Sequence, residues 1–234
     1  MRKVILAFTM FFIMTSASLA DSNVYITQSG AALDLDITLD GNANAVGASN
    51  DRTLLTGANL DVDIDLIGAT NTITGDFIGT GESGSDDLKI SQTGSTNTTA
   101  LNVGASASTD DVKILETRVG SSGVTSYIIG STATVQDVSV TVDVVGDDID
   151  IALTENSSSS GSDKTTDIDI ATDSDDVDIV VTHTGAGAHK TKLLCTGSCA
   201  GSDFTMSQTG ANSTDVDLVV TNAAGSDVDI TITD

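Results

Sequence analysis

Hydrophobic and polar residues alternate along most of the chain. Such runs lie at 33–39 (LDLDITL), 61–66 (DVDIDL), 138–144 (VSVTVDV), 147–153 (DDIDIAL), 176–181 (DVDIVV), 215–220 (DVDLVV) and 227–233 (DVDITIT). Alternation puts Val, Ile and Leu on one face of a strand and Asp or Thr on the other. Clusters of turn-forming residues such as DGNAN, TGAN and SSSSGSD separate the runs. We therefore predict an all-β chain without an amphipathic helix of useful length.

The spacing of the predicted strands indicates how they are arranged. A strand and its turn take about 12 residues, so two such units take about 24. Regular spacing, the absence of Pro and the scarcity of aromatic residues favour a β-solenoid, in which each turn of chain stacks on the last. We expect about eight rungs and a rod about 40 Å long. The segments NAVGASND and SSSSGSDKTTD are expected to bulge from it as loops.

One seven-residue pattern occurs three times. Residues 24–30 (VYITQSG), 88–94 (LKISQTG) and 204–210 (FTMSQTG) share the form apolar, any, apolar, hydroxyl, Gln, hydroxyl, Gly. Amide side chains at matched positions of successive rungs can form hydrogen-bonded ladders, and Gly permits the turn after each strand. The predicted ladder and turn residues are Gln28, Gly30, Gln92, Gly94, Asn97, Gln208 and Gly210.

These positions resemble the curlin repeat of curli amyloid subunits, which reads Ser-x5-Gln-x-Gly-x2-Asn-x-Ala-x3-Gln. The first half of the repeat is matched at Ser22, Gln28 and Gly30, and again at Ser202, Gln208 and Gly210. The central part is matched at Gln92, Gly94 and Asn97, with Asp86 in the place of the Ser. Leu33 and Ser213 replace the Asn of the other two copies, and the second Gln is missing. The resemblance implies strand–turn–strand rungs in an extracellular fibre subunit.

The first twenty residues have the form of a secretory signal peptide. Arg2 and Lys3 precede an apolar run at 4–14, and small residues lead to Ala20, after which we expect cleavage. No later segment approaches the roughly 20 apolar residues of a membrane span. We therefore expect residues 21–234 to form a single repetitive domain that is secreted to the extracellular space or cell surface.

The residues after the signal are strongly acidic and contain few aromatics. All 34 acidic residues lie there, and the chain as a whole has 9 Lys and Arg and a formal charge of −25. Such acidity argues against nucleic acid and anionic membranes as partners. Phe77, Phe204, Tyr25 and Tyr127 are the only aromatic residues after the signal, which predicts a narrow aliphatic core. A disordered acidic chain is the alternative, and the regular placement of Val, Ile and Leu argues against it.

Candidate catalytic and metal-binding motifs are weak. GTGESG at 79–84 precedes a strand rather than the helix that a dinucleotide site needs. GSCAG at 197–201 lacks the strand-to-helix turn of a nucleophile elbow. In an oxidising compartment we expect Cys195 and Cys199 to form a disulfide across the turn at Gly197, instead of a zinc site with His183 and His189. No known calcium motif is present, and we predict no specific cofactor or metal.

Two surface properties remain open. Stacked strands would bring aspartates to about 5 Å of one another, where each like-charge pair costs on the order of 0.8 kcal/mol in water. Salt, non-specific divalent cations or acid should therefore promote ordering or assembly of the chain.

Thr-x-Thr pairs resemble ice-binding surfaces, but along the sequence they have no common period. They lie at Thr70/Thr72/Thr74, Thr96/Thr98, Thr132/Thr134, Thr182/Thr184 and Thr231/Thr233.

The sequence therefore predicts a secreted, non-enzymatic, curlin-like subunit of an extracellular fibre or biofilm matrix. Its partner would be further copies of itself, with export or nucleator proteins or surface glycans in addition, and the mechanism would be strand addition at an exposed edge. A monomeric adhesin displayed on a cell or virion is one alternative. An extracellular polysaccharide-acting enzyme on a β-helix is the other, and the scarcity of Lys and Arg disfavours it.

Overall fold

The strands form two parallel sheets in a computed structural model. It describes residues 21–47, 53–79, 86–104, 112–130, 137–156, 163–172, 176–197, 199–210, 213–221 and 223–233. Sheet A contains β1 (Ser22–Val24), β2 (Thr27–Ser29), β4 (Ala43–Val46), β5 (Thr53–Gly57), β7 (Thr70–Gly79), β9 (Thr96–Val103), β11 (Ser122–Ile129), β13 (Ile149–Asn156), β15 (Val177–Thr184), β17 (Asp203–Thr209) and β19 (Asp227–Thr233). Sheet B contains β3 (Asp34–Asp40), β6 (Asp61–Ile67), β8 (Asp86–Thr93), β10 (Val112–Gly120), β12 (Val138–Gly146), β14 (Lys164–Thr172), β16 (Ala188–Gly197) and β18 (Ser213–Val220). The expected signal peptide at 1–20 lies outside the described residues.

The chain passes from one sheet to the other at each turn, so the fold is a β-solenoid, as the sequence predicts. Each strand pairs in parallel with the strand one turn away, as when Val112 of β10 lies opposite Val138 of β12. We call residues at the same register position in successive strands of one sheet a column. Most pairings join residues 25–28 positions apart, about 26 per turn. The predicted repeat of about 24 residues was therefore too short, because the turns are longer than expected.

The predicted alternation matches the burial of the strands. In β6 the side chains of Val62, Ile64 and Leu66 are buried and those of Asp61, Asp63 and Asp65 face outward. The buried faces of the two sheets meet in a core that is mainly Val, Ile and Leu. Phe77, Tyr127 and Phe204 are buried in it, whereas Tyr25 is exposed. A core this narrow needs few large side chains because the sheets lie only about 10 Å apart.

Glycines at the ends of the sheet B strands form a column that allows the turns to stack closely. Gly41, Gly68, Gly94, Gly120 and Gly146 recur every 26 or 27 residues. A methyl group on Gly94 would overlap the carbonyl oxygen of Gly68 and lie 2.8 Å from Nδ2 of Asn71. A side chain at these positions is excluded by lack of space, because the backbone of each turn contacts the backbone of the turn before it.

We predict that Gly94→Ala lowers the free energy of unfolding by about 1–3 kcal/mol, the usual cost of forcing a side chain into a packed site. Urea denaturation measures the loss. Thr93→Ala is the matched control, because Thr93 is the exposed neighbour of Gly94, and it should cost within about 0.5 kcal/mol. Equal unfolding free energies for the two variants would contradict the close stacking.

Candidate functional site

The structure separates the three copies of the repeated pattern. Gln28 and Gln208 lie in one column of sheet A, with Leu55, Phe77, Val103, Ile129, Glu155 and His183 between them. Gln92 lies in sheet B and pairs with Leu66 and Arg118. No two of these glutamines are neighbours, so the predicted glutamine ladder within the chain is wrong. The pattern recurs too rarely to occupy adjacent turns.

The glycines of the pattern have two different roles. Gly30 and Gly210 adopt positive φ angles of 147° and 77°, where a residue without Cβ is favoured. Gly94 instead belongs to the close-packed glycine column. All three follow a strand, as predicted, but only two of them are required by backbone conformation.

An asparagine ladder does exist, and Asn97 is part of it. Asn44, Asn71 and Asn97 occupy one column of sheet A and are buried. Nδ2 of Asn44 donates to Oδ1 of Asn71 at 3.0 Å, and Nδ2 of Asn71 donates to Oδ1 of Asn97 at 2.9 Å. Each amide also donates to a main-chain carbonyl, as Asn71 does to Thr93 at 3.0 Å. Their spacing of 27 and 26 residues is the signal in the sequence that could have revealed Asn44 and Asn71.

The ladder ends where a buried cluster of charged groups begins. The next residue in the asparagine column is Gly123, and a Cβ there would lie 2.7 Å from Cζ of Arg118. The guanidinium group of Arg118 thus packs in the space that a side chain at Gly123 would fill. It is 2% exposed and donates to Oγ1 of Thr125 at 2.9 Å. Burial lowers the pKa of Arg118.

Glu116 accepts most of the hydrogen bonds of this first buried cluster. Its carboxylate accepts from Thr99 at 2.9 Å, from Thr125 at 3.0 Å and from the hydroxyl of Tyr127 at 3.0 Å. Burial and the nearby Glu116 raise the pKa of Tyr127. Gln92 adjoins the cluster, with Oε1 3.2 Å from Oγ1 of Thr99, and Nε2 of Gln92 donates to the main-chain carbonyl of Thr98 at 3.3 Å. The sequence signal for the cluster is the alternation from Val112 and Ile114, which continues inward through Glu116 and Arg118.

A second buried cluster lies nearer the C-terminal end. Oε2 of Glu155 is 3.2 Å from Nε2 of His183, which is also 3.0 Å from Oγ1 of Thr166. Nζ of Lys164 is 3.4 Å from Nε2 of His189. Nε2 of Gln208 donates to Thr191 at 2.9 Å and lies 3.5 Å from Nδ1 of His183. All of these side chains are at most 1% exposed, so they contact one another and not solvent.

Burial sets the protonation of the second cluster. It raises the pKa of Glu155 to about 8, against the lowering effects of Lys164 and Thr166. Burial, His189 and Lys164 lower the pKa of His183 to about 3. Burial lowers the pKa of Lys164 and of His189 as well. The pKa shifts of Glu155 and His183 both favour the uncharged form of the group, so the Glu155–His183 pair carries no net charge at neutral pH.

The cysteines are bonded to each other, as the sequence predicts. Cys195 and Cys199 form a disulfide with Cα atoms 6.4 Å apart, and both are fully buried. They are therefore not thiol ligands for zinc, and His183 and His189 contact each other edge to face with ring centroids 5.5 Å apart. Among the described residues no group of three or more His, Cys, Asp or Glu is placed to hold a metal ion. Residues 80–84 of the GTGESG motif lie outside those residues.

Aspartates form a column on the outer face of sheet A. Asp150, Asp178, Asp203 and Asp227 lie opposite one another in β13, β15, β17 and β19, and all are exposed. Partial burial and the carboxylates of Asp178, Asp148 and Asp176 raise the pKa of Asp150. On sheet B, burial and the carboxylates of Asp169 and Asp167 likewise raise the pKa of Asp143. Lysines interrupt other acidic columns there, as in the Lys192–Asp167 pair at 2.9 Å.

Both ends of the described solenoid have unpaired strand edges. At one end β19 pairs only with β17, and its inward-facing Val228, Ile230 and Ile232 are 43%, 45% and 50% exposed. At the other end, Val24 of β1 and Ile26, which lies between β1 and β2, are partly buried and pack against the core. Each end therefore presents aliphatic side chains of the core together with free main-chain donors and acceptors. We call these the two open edges.

The two open edges align with each other along the solenoid. Following the register strand by strand, Val24 lies in the column of Val228 and Gln28 in that of Ile232. On the outer face Asn23 lies in the column of Asp227. A copy of the chain stacked end to end would thus continue the apolar columns and place an amide, not a carboxylate, against Asp227.

Comparison of the chain with models of protein families, with curated protein sequences and with solved structures finds no match. Within the described residues, no helix is long and apolar enough to cross a bilayer.

Stability should fall between pH 6.5 and pH 8.5 because of Glu155. Its pKa is raised from 4.5 to about 8, so the stability it contributes is present below pH 4.5 and is lost as the pH rises through 8. The pKa of His183 is lowered from 6.5 to about 3, so its contribution is present above pH 6.5 and is lost on acidification. These two slopes oppose each other between pH 4.5 and 6.5, and above pH 6.5 that of His183 has ended while that of Glu155 continues.

Thermal denaturation across this pH range tests the assignment. The midpoint of the wild-type chain should fall above pH 6.5, whereas that of Glu155→Gln should stay level. Asp21→Asn, which removes an exposed carboxylate, should keep the wild-type slope. A wild-type slope in Glu155→Gln would show that another group is responsible.

Asp178→Asn should raise the thermal midpoint at low salt. It removes a carboxylate that lies between Asp150 and Asp203, and each like-charge pair at about 5 Å costs roughly 0.8 kcal/mol in water. The gain should shrink at high salt, which screens exposed charges. Asp229→Asn is the control on the same face, since its column neighbour is Thr205, and should have a smaller effect. Equal shifts for the two variants would contradict repulsion along the column.

Proposed function

We propose that this protein is a secreted, non-enzymatic structural subunit that assembles end to end into an extracellular fibre. The observation that carries the proposal is the open edge at β19, where Val228, Ile230 and Ile232 are about half exposed in the positions that the core occupies elsewhere. An unpaired parallel strand with an apolar inner face is a template for another strand. The assembly would bury these side chains and pair the free main-chain groups of both open edges.

The distribution of charge inside the solenoid supports this arrangement. Glu116 on β10, Glu155 on β13 and His183 on β15 all lie inside the edge strands, and the second cluster meets the open edge only through the uncharged Gln208, which lies opposite Ile232. The inward-facing positions at the edges are mostly aliphatic, so stacking there would not bury an unpaired charge, which would be costly. The buried clusters would hold the register within each subunit while leaving the contacts between subunits hydrophobic.

Sheet A is where the contact between subunits would form. In the described part of the chain the path through sheet A has nine strand levels and sheet B has eight, so β19 extends beyond β18. In the proposed contact β19 of one subunit pairs with β1 and β2 of the next, with Val228 on Val24 and Asp227 on Asn23. The strand spacing of about 4.8 Å would continue through the fibre.

The resemblance to curlin repeats supports the same proposal. Ser22 and Gln28, like Ser202 and Gln208, are six residues apart and lie on the inward face of sheet A strands or just before them. Gln92 is the last residue but one of β8, Gly94 lies in the turn, and Asn97 is near the start of β9. This strand–turn–strand arrangement is the one the resemblance implies, and we infer a curlin-like fibre or biofilm matrix as the setting.

Ile230→Lys should block assembly, because it places a charge on the inner face of the open edge. Val180→Lys is the matched control: Val180 is 43% exposed against 45% for Ile230, but it lies on the outer face of sheet A away from the edges. Electron microscopy and light scattering should show unbranched fibres for the wild type and Val180→Lys, with fibre diffraction at about 4.7–4.8 Å, and monomers for Ile230→Lys. A persistent β-rich monomer of the wild type would refute the proposal and favour a monomeric adhesin.

Disulfide trapping tests the register. The double variant Asn23→Cys, Asp227→Cys should give a ladder of cross-linked oligomers on mild oxidation, because paired strands bring Cα atoms within the range of about 4.4–6.8 Å that a disulfide needs. Within one chain the two positions lie at opposite ends of the solenoid. Asn23→Cys with Ser213→Cys, which lies on sheet B, should not cross-link. Fibres that form without the ladder would contradict the proposed contact.

A further inference from the structure

The outer face of sheet A carries an ordered array of hydroxyl groups that cannot be recognised from spacing in the sequence. The Thr-x-Thr pairs have no common period along the chain, but the fold brings two of them, Thr182/Thr184 and Thr231/Thr233, into the same columns. Thr182 and Thr184 lie opposite Ser207 and Thr209, which lie opposite Thr231 and Thr233. Thr154 and Asn156 precede them in β13. We call these eight residues the hydroxyl array: four strands, each with two outward-facing polar side chains.

The backbone fixes the dimensions of the hydroxyl array. Neighbouring strands are about 4.8 Å apart, and alternate residues along a strand are separated by about 6.6 Å. Six of the eight residues are Thr, whose β-branched side chain has few χ1 rotamers. The hydroxyl and methyl groups are therefore held at repeated positions with little entropy left to lose on binding.

The charge of the surrounding face restricts the kind of partner. The four strands of the array carry no outward-facing aromatic or cationic side chain, and the aspartate column of Asp150, Asp178, Asp203 and Asp227 runs along one side. The carboxylates would repel an anionic surface, and the lack of aromatic rings removes the usual stacking contact for sugars. What fits is an uncharged, flat and periodic partner that both donates and accepts hydrogen bonds.

We propose that the hydroxyl array is an ice-binding surface. The surface of ice is an uncharged lattice of water molecules that donate and accept hydrogen bonds, repeating in two directions at spacings of this size. Each Thr hydroxyl can take the place of one water molecule, and its methyl group fills the space between neighbouring molecules. The proposal is independent of fibre assembly, because the array uses the outward-facing side chains of sheet A, whereas assembly would use the main-chain groups and inward-facing side chains of β19.

A second group of threonines supports the proposal. On the same face, Thr70 and Thr72 of β7 lie opposite Thr96 and Thr98 of β9, in columns different from those of the hydroxyl array, since Thr72 and Thr98 lie in the column of Asp150. Two separate parts of sheet A thus present in-register threonine pairs two residues apart. The Thr132/Thr134 pair lies outside the described residues.

The test is the effect of the purified protein on a single ice crystal held just below its melting point. The wild type should facet the crystal and separate its freezing and melting temperatures. Thr209→Lys, at an exposed position between Thr184 and Thr233, should abolish most of that separation. Thr117→Lys is the matched control, since Thr117 is an exposed mid-strand threonine on the outer face of sheet B, and it should retain the wild-type effect. Circular dichroism shows that each variant is folded.

Three results would overturn the proposal. The first is round ice crystals and no temperature gap with the folded wild type. The second is equal loss in Thr209→Lys and Thr117→Lys, which would mean that added charge and not the array is responsible. The third is retention on insoluble uncharged polysaccharide without any effect on ice, which would identify a carbohydrate surface.

Discussion

Parallel pairing in register is the constraint on which the rest of this structure depends. Because each strand hydrogen-bonds to the strand one turn away, every residue contacts the residues about 26 positions before and after it. A favourable contact is therefore repeated, as in the asparagine ladder, and so is an unfavourable one, as in the aspartate column. In-register pairing therefore produces both the stabilising hydrogen-bond ladder and the destabilising repulsion between aspartates.

The buried charged groups show how such a repetitive core can still have one register. In a purely aliphatic solenoid, sliding one turn past another would change little. Glu116 with its three hydroxyl donors, and Glu155 beside His183, can be satisfied in one alignment only. Losing that alignment would leave buried polar groups without hydrogen-bond partners, which costs about 1–3 kcal/mol for each group and more for a charged one. These clusters restrict the register where alternation of Val and Ile alone would not.

The sequence predicted the architecture better than its details. Alternation in runs such as DVDIDL indicated both the strands and their buried face, and local spacing indicated a solenoid. The disulfide followed from the short separation of Cys195 and Cys199 and a flexible turn. The predicted period of about 24 residues was too short because the length of the turns is not fixed by the alternation within the strands, whereas Gly68, Gly94 and Gly120 recur at the observed spacing of 26 residues. Glu155 and His183 could not be recognised as partners, because their contact depends on which turns stack and on which way each strand faces.

The pairing of β4 and β5 shows that extra residues between two strands need not shift the columns. Val46 and Thr53 are seven residues apart in sequence, yet they pair with Ile73 and Gly75, which are neighbours on one face of the single strand β7. Residues 48–52 lie outside the described residues, and the strands on either side of them keep their places in the columns. The number of residues between two strands can therefore vary, because strand pairing alone sets the alignment of the columns. A lineage of such proteins could gain or lose residues at its turns, and diversify its outer surface, while every column of the core stayed in place.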